Sequence, residues 1–361
     1  MDSTASTRGQ TLNVALTGGT GFLGAALVRL MVREGASVRV LVRRSQADGL
    51  VHALGAECVR GDVVARGGCA NLVRPGDVVI HTVARVDLKG RWREFRELTI
   101  EGTRRLLDSA LPQQPSRFVY VSSAGVYGAS QVRHGVSADR VPARPARYNL
   151  YGRAKLEAEN LVRRRCEQCG CEWTIVRLGA TYGPGKRALL THFQPMLREG
   201  HIRILGAGTN AIAALFVDDA ARAVWLAATH RAAARRIYDV ANDERVTQRQ
   251  WFDATADALD APRPRRRVPR SVAFAAAAAT ELLSWVHGCE PAFNRAMVDL
   301  ISTEQLLDAS RIRNELGWRP EVAFEEGMRR TREWYLQVQR TRRAGPDAGS
   351  ESASERLWAF G

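Results

Sequence analysis

Eight residues, TGGTGFLG at positions 17–24, constrain this chain more than any other stretch. Before them, 12–16 is a short apolar run that reads as a buried strand. After them, 25–34 has helical periodicity and is closed by Gly35. Gly19, Gly21 and Gly24 satisfy G-x-G-x-x-G, and Gly18, Gly21 and Gly24 satisfy G-x-x-G-x-x-G. Alone such a pattern is weak. Set between a strand and a helix, it predicts a tight turn where a pyrophosphate can approach the N–H groups of the helix start.

The alternation continues. Strands are expected at 37–42, 57–63, 78–84, 118–122 and 172–178, several of them continuous apolar runs of the kind found in parallel sheets. Helical patterns such as 94–110 fill the gaps. This order predicts an α/β fold: a Rossmann-type doubly wound parallel sheet with a smaller, mostly helical C-terminal lobe for substrate. Ligands belong outside the carboxyl ends of the strands, where Gly18, Asp62, Ala84 and Ser123 fall. A NAD site wants an acid about 20 residues beyond the glycines. Here the second strand ends in VRRS at 42–45, and Arg43 and Arg44 suit a 2′-phosphate. NADP is therefore the expected cofactor, with NAD as the alternative.

A second motif, YGRAK at 151–155, opens a helix expected to run to about residue 166. Tyr151 and Lys155 are four apart and share a helix face. A phenol titrates near ~10, and an ammonium held close lowers that value toward useful acid–base chemistry. Lys89, Lys155 and Lys186 are the only lysines among 53 basic residues, so a lysine at 155 points to a need for a compact ammonium.

With 361 residues, 45% apolar and 25% charged, the chain has the composition of a globular protein. Residues 1–10 read as a disordered lead and 341–361 as a disordered tail. Between them, 11–180 is expected to be the dinucleotide-binding domain, with 211–230 rejoining it; 181–210 and 231–340 form the substrate lobe. No apolar run reaches the roughly 18 residues of a membrane span, and the polar N-terminus lacks a secretory pattern, so a cytoplasmic protein is expected. A net charge of +15 raises nucleic acid or an anionic membrane as partners. The arginines run from Arg8 to Arg356 without an aromatic-interleaved motif, which argues against nucleic acid. They are densest at Arg263, Arg265, Arg266, Arg267 and Arg270, just before an alanine-rich segment, 271–286, that is helical by propensity and too short to span a bilayer. An ordinary buried helix is the preferred reading there, over peripheral membrane contact. Cys166, Cys169 and Cys171 lack an evident fourth ligand and read as reduced structural thiols at a helix end, with Gly170 terminating the helix; no metal is expected.

Taken together, TGGTGFLG at 17–24, Gly61-Asp62, HTVA at 81–84, VSSA at 121–124, YGRAK at 151–155 and ELGWRP at 315–320 resemble the extended short-chain dehydrogenase/reductase family. Within it, VARVDLKG at 83–90 and the alanine-rich segment look like the 3β-hydroxysteroid dehydrogenase-like branch. The resemblance implies a small-molecule substrate and interconversion of a secondary alcohol and a ketone, on something apolar such as a steroid or a 3-oxoacyl compound. The rival activities are nucleotide-sugar epimerisation or dehydration with tightly held NAD and, further off, a non-catalytic dinucleotide sensor or RNA-binding role. By resemblance Tyr151 is the acid–base, Lys155 lowers its pKa and holds the nicotinamide ribose, and Ser123 hydrogen-bonds the reacting oxygen. Gly18, Thr20, Gly21, Phe22 and Leu23 match the pyrophosphate turn, and Asp62 and Val63 the adenine contacts. Val83, Ala84 and Arg85, with Val121, Leu178 and Ala180, surround the rest of the cofactor. A homodimer through the helix of Tyr151 is also a family trait. Two positions depart from the family: Thr99 stands where Asn is frequent, and Leu178 follows Arg177 where Pro is usual.

Overall fold

Among the described residues, seven parallel strands form one sheet in the order 3-2-1-4-5-6-7. They are β1 (Asn13–Thr17), β2 (Ser37–Val42), β3 (Glu57–Arg60), β4 (Val78–His81), β5 (Arg117–Ser123), β6 (Glu172–Leu178) and β7 (Arg236–Val240). This computed structural model describes residues 11–86, 88–129, 137–138, 140–287, 289–291 and 293–344. The expected lead at 1–10 and the tail from 345 lie outside the described residues.

Helices cover both faces of the sheet, which is why inner strands such as β1 and β4 are apolar on both sides. On one face α1 (Phe22–Arg33) contributes Leu27, Val28 and Met31 to a shared core. On the other, α2 (Gly102–Ala110) and α3 (Leu150–Cys169) pack Leu106, Leu107, Leu161 and Val162. The period of two in β5 serves both cores: Val119 and Val121 face the first, Phe118 and Tyr120 the second. A fourth helix, α4 (Val217–Thr229), rejoins the first face through Ala220 and Val224. Ligand chemistry is thus directed to the switch point between β1 and β4, at the carboxyl edge.

Several boundaries differ from expectation. Helix α1 begins three residues early because the glycine turn is itself its N-terminus. Strands β3 and β4 stop at Arg60 and His81, where the chain folds over the sheet edge; the Thr82 hydroxyl donates to the Thr17 carbonyl at 2.9 Å. Residues 236–240, assigned above to the C-terminal lobe, form β7 of the main sheet. Their sequence, RIYDV, opens on an exposed Arg236 and carries a buried Asp239 that accepts from the Tyr127 hydroxyl and the Ala138 N–H, so it lacks the apolar signature of inner strands. Trp318, far along the chain, is also buried in the core between α1, α4 and the sheet, its Nε1 donating to the Asp219 carbonyl.

After α4 come the helices α5 (Gln248–Ala258), α6 (Arg270–His287), α7 (Arg295–Ser302), α8 (Ser310–Leu316) and α9 (Phe324–Ala344). Phe252 and Leu259 with Trp334 and Val338 make a separate core beside Leu189 and Leu197. Residues 341–344, expected in the tail, continue α9. Helix α6 is not the ordinary buried helix expected of 271–286; it buries only Ala273, Ala277 and Ser284. Among the described residues no helix is long and apolar enough to cross a membrane. Helix α3 ends as its sequence predicts, with Gly170 at φ +76°; Cys166 and Cys171 are buried and Cys169 is exposed.

Candidate active site

A cavity of about 860 Å³ opens at the carboxyl edge of the sheet, over the switch point. Its floor is the glycine turn. Gly18 has φ +78°, and a Cβ there would lie 2.3 Å from Thr82 Oγ1. A Cβ on Gly24 would lie 1.9 Å from the Gly18 carbonyl oxygen, so the helix can enter the turn only with glycine there. The N-cap of α1, Gly21, makes no side-chain capping bond, and the first turn carries no acid. Helix α1 therefore presents free N–H groups and its positive end to the cavity. Thr20, Gly21, Phe22 and Leu23 all line it. These features fit the diphosphate of a nicotinamide dinucleotide.

Strand β5 ends in Ser123, whose Oγ accepts from Gly125 N at 3.1 Å. Helix α3 starts two residues after Tyr148, capped by Asn149, whose side chain accepts from Gly152 N and donates to the Gly125 carbonyl. That cap fixes the first turn of α3 against the end of β5, so the Tyr151 ring and Ser123 Oγ flank the same Gly125 Cα face. Tyr151, Ser123 and Lys155 converge on the cavity, as do Val83, Ala84, Val121, Leu178 and Ala180.

The electrostatics differ from the sequence expectation in one respect. Burial raises the Tyr151 phenol above its ordinary value, and the Ser123 hydroxyl beside it pulls the other way. Lys155 was expected to lower the phenol. Instead its ammonium donates to the Val121 carbonyl at 2.7 Å and lies 4.9 Å from the centre of the Tyr120 ring. It is itself pushed down to about 7 by burial, with Glu159 opposing. The ammonium is thus held against the backbone of β5 by its bond to Val121.

Four of the expected cofactor positions, Arg43, Arg44, Asp62 and Val63, do not line the cavity, and neither does Arg85. Arg43 and Arg44 are exposed beyond β2, and Arg43 Nε lies 4.0 Å from Asp62 Oδ2. Asp62 caps its own turn by accepting from Val64 N, while Val63 is buried against Gly102. The Arg85 guanidinium turns to Glu94, at 3.3 Å, and over the Phe95 ring. Its backbone N–H donates to Thr99 Oγ1 at 3.1 Å. Thr99, the departure from the family pattern, sits in a π-helical stretch (Arg96–Glu101) just before α2 and is fully buried. Its side chain pins the loop after β4 rather than reaching the cavity. The second departure, at 177–178, leaves Arg177 inside the sheet. There its Nε and Nη2 donate to both carboxylate oxygens of Glu159, at 3.0 and 2.6 Å, and its Nη1 donates to Tyr127 Oη.

Lys186 was not anticipated as a site residue. It lines the cavity, donates to the Thr181 carbonyl, and holds its ammonium 5.8 Å from the centre of the Phe22 ring; burial pushes it down to about 8. Its signal was the scarcity of lysine, used above for Lys155 alone. The far wall comes from the C-terminal lobe: Ala296, Asp299, Leu300 and Thr303 of α7 and the residues after it, with Leu307. Asp299 is engaged by Tyr148 Oη at 2.5 Å and by Arg270 at 2.7 Å. Among the described residues no three His, Cys, Asp or Glu side chains cluster as metal ligands.

Residues 14–241 match the NAD dependent epimerase/dehydratase family. A 2-alkyl-3-oxoalkanoate reductase of Stenotrophomonas maltophilia is 27% identical over 328 residues, covering 88% of this chain and 98% of the relative. A UDP-glucose 4-epimerase of Vibrio cholerae is 25% identical over 341 residues, covering 90% and 96%. In fold, the UDP-glucose 4-epimerase of Thermotoga maritima superposes with a TM-score of 0.71 at 21% identity, over 91% of this chain and all of that one. With its glycine turn, its sheet order and a match over most of its length, this chain belongs to the NAD dependent epimerase/dehydratase family, of the extended short-chain dehydrogenase/reductase type.

Proposed function

We propose that this protein is an NAD(P)-dependent oxidoreductase, NADP preferred, that interconverts a secondary alcohol and a ketone on an apolar substrate. The observation that carries the reading is the convergence of Ser123, Tyr151 and Lys155 on one cavity whose outer wall includes Leu88, Leu300 and Leu307. The bound cofactor supplies or takes the hydride. In reduction, the Tyr151 hydroxyl gives its proton to the carbonyl oxygen; its raised pKa keeps that proton in place at neutral pH. The Ser123 hydroxyl donates a hydrogen bond to the same oxygen. Lys155 stands one helical turn behind Tyr151 and is suited to hold a ribose hydroxyl. The reductase relative's substrate class, a 2-alkyl-3-oxoalkanoate, agrees with an apolar cavity that also holds the Lys186 ammonium.

The test is a ketone panel followed at the nicotinamide absorbance with NADPH and NADH. Tyr151→Phe is expected to keep dinucleotide binding and lose about 10²–10⁴ of turnover. Undiminished turnover in that variant overturns the assignment. A second reading, nucleotide-sugar epimerisation with retained NAD, draws on Lys186 and Arg187, adjacent cations in the cavity wall, and on the epimerase relative. Purified protein that carries stoichiometric NAD and needs none added would favour it.

A further inference from the structure

Helix α6 is amphipathic in the wrong sense for a packed protein. Its fully buried positions are small or polar, Ala273, Ala277 and Ser284, with Thr280 donating to the Phe293 carbonyl; its one large inward side chain, Phe274, is half-buried against Tyr148. Its outward stripe, at 272, 275, 276, 279, 282, 283 and 286, reads Val, Ala, Ala, Ala, Leu, Leu, Val and is exposed throughout. Leu282, Leu283, Trp285 and Val286 are between 57% and 81% exposed. A helix of a water-soluble fold normally turns such a stripe to the core, and a contiguous apolar patch of this kind marks an interaction surface.

Charge says what covers it. Arg265, Arg266 and Arg267 lie just before α6, all exposed. Nearby Arg263 and Arg270 are neutralised by Asp257 and Asp299, and Arg295 by Glu281, but no acid lies within ion-pair distance of these three among the described residues. At the other end of the helix Trp285 stands free, and tryptophan favours the boundary between headgroups and acyl chains. Arginines at one end, a tryptophan at the other and an apolar stripe between them match an interfacial helix lying in the plane of an anionic bilayer. A nucleic acid would use the arginines and leave Leu282, Leu283 and Val286 in water.

We propose that α6 and the preceding arginines form a peripheral docking surface for anionic lipid bilayers. The surface stands independently of the carbonyl chemistry proposed above. Its position is suggestive all the same: α6 packs on α7 through Ala277 and Val298, and α7 lines the cavity with Ala296, Asp299 and Leu300. One helix therefore separates the lipid-facing stripe from the cavity where an apolar substrate would enter.

The experiment uses the full chain in flotation with vesicles of phosphatidylcholine alone, or of equal parts phosphatidylcholine and phosphatidylglycerol. The protein is expected to float with the anionic vesicles only. Arg265→Glu/Arg266→Glu/Arg267→Glu should weaken that binding by about fivefold or more per arginine, roughly a hundredfold together. Leu282→Gln/Leu283→Gln should release the protein from the same vesicles while leaving its thermal transition and any carbonyl turnover as in the wild type. Brominated lipid should quench wild-type tryptophan emission, and Trp285→Phe should remove most of that quenching in a folded protein. Wild type that stays unbound, equal flotation on neutral vesicles, or a charge variant that binds like the wild type each overturn the proposal. So does a dimer in lipid-free buffer that Leu282→Gln/Leu283→Gln dissociates, since the stripe then belongs to a second copy.

Discussion

Glu159→Gln is a direct probe of what holds the site together. Glu159 lies on α3, two turns beyond Tyr151 and one beyond Lys155, and its carboxylate takes two hydrogen bonds from Arg177 on β6. The two side chains are 1% and 5% exposed. Removing one partner of so enclosed a pair leaves a buried charge and costs about 3–5 kcal/mol. Asp239 sets where in that range the variant falls. Burial pushes its carboxyl up to about 7; Arg177 opposes that and Glu159 adds to it. Without the Glu159 charge, Asp239 ionises at lower pH and takes over part of the neutralisation of Arg177. The expected loss near neutrality is therefore ~3 kcal/mol, or roughly 6–12 °C in the melting midpoint at about 2–4 °C per kcal/mol.

The pH dependence has a definite sign. Asp239 holds its proton to higher pH in the folded protein than in the unfolded chain, so stability falls as pH climbs from the ordinary carboxylate range to about 7. The variant, with a lower Asp239 value, falls less. Lys155 has the opposite slope: its folded value is depressed to about 7, so stability rises as pH climbs beyond that value toward its unfolded one. Losing Glu159 depresses Lys155 further and starts that rise earlier in the variant. Both effects narrow the gap between wild type and variant between about pH 5 and about pH 8. Urea melts across that range measure it, and Glu159→Met/Arg177→Met should recover most of the loss. A gap below about 1 kcal/mol, or one that widens with pH, refutes this account of the pair.

Four other variants test the cofactor site. Gly24→Ala puts a methyl group against the Gly18 carbonyl and should abolish dinucleotide binding, with about 1–3 kcal/mol lost in thermal melts; Gly21→Ala, whose nearest neighbour would be 3.2 Å away, should be the milder change. Arg43→Ala/Arg44→Ala should weaken NADPH by about tenfold or more in fluorescence titrations and leave NADH unchanged. Lys186→Met should weaken both dinucleotides, and should erase the fall in wild-type affinity expected above about pH 8 as that ammonium deprotonates.

What could be read in the sequence was what local chemistry determines. The turn at 17–24 needs glycine for contacts between residues six apart, and the inner strands are apolar because both faces are covered. Ser123 and Tyr151 were findable because each sits at the end of an element whose pattern is strong. The rest depended on partners distant in sequence. RIYDV looks like no inner strand until β6 is placed beside it. The ammonium of Lys155 faces a carbonyl that only the fold brings near, so its effect on the phenol could not be inferred from the spacing. Lys186 sits on an irregular loop with no periodicity to mark it. Propensity made 271–286 a helix, but which side of it met the core was decided by α7.

The strand added last to the sheet has a bearing on how the chain is made. Residues 236–240 close the edge of β6, and Trp318 with the backbone N–H groups of Glu321 and Val322 closes over Asp219 on α4. Both pieces are translated after the intervening segment at 181–210. A nascent chain that has emerged only as far as residue 230 would leave β6 an open edge and one face of α4 uncovered, the conditions under which partly folded chains associate. Synthesis must pass residue 322 before the nucleotide half can close its own core, so the two halves are expected to unfold in one cooperative step rather than in succession.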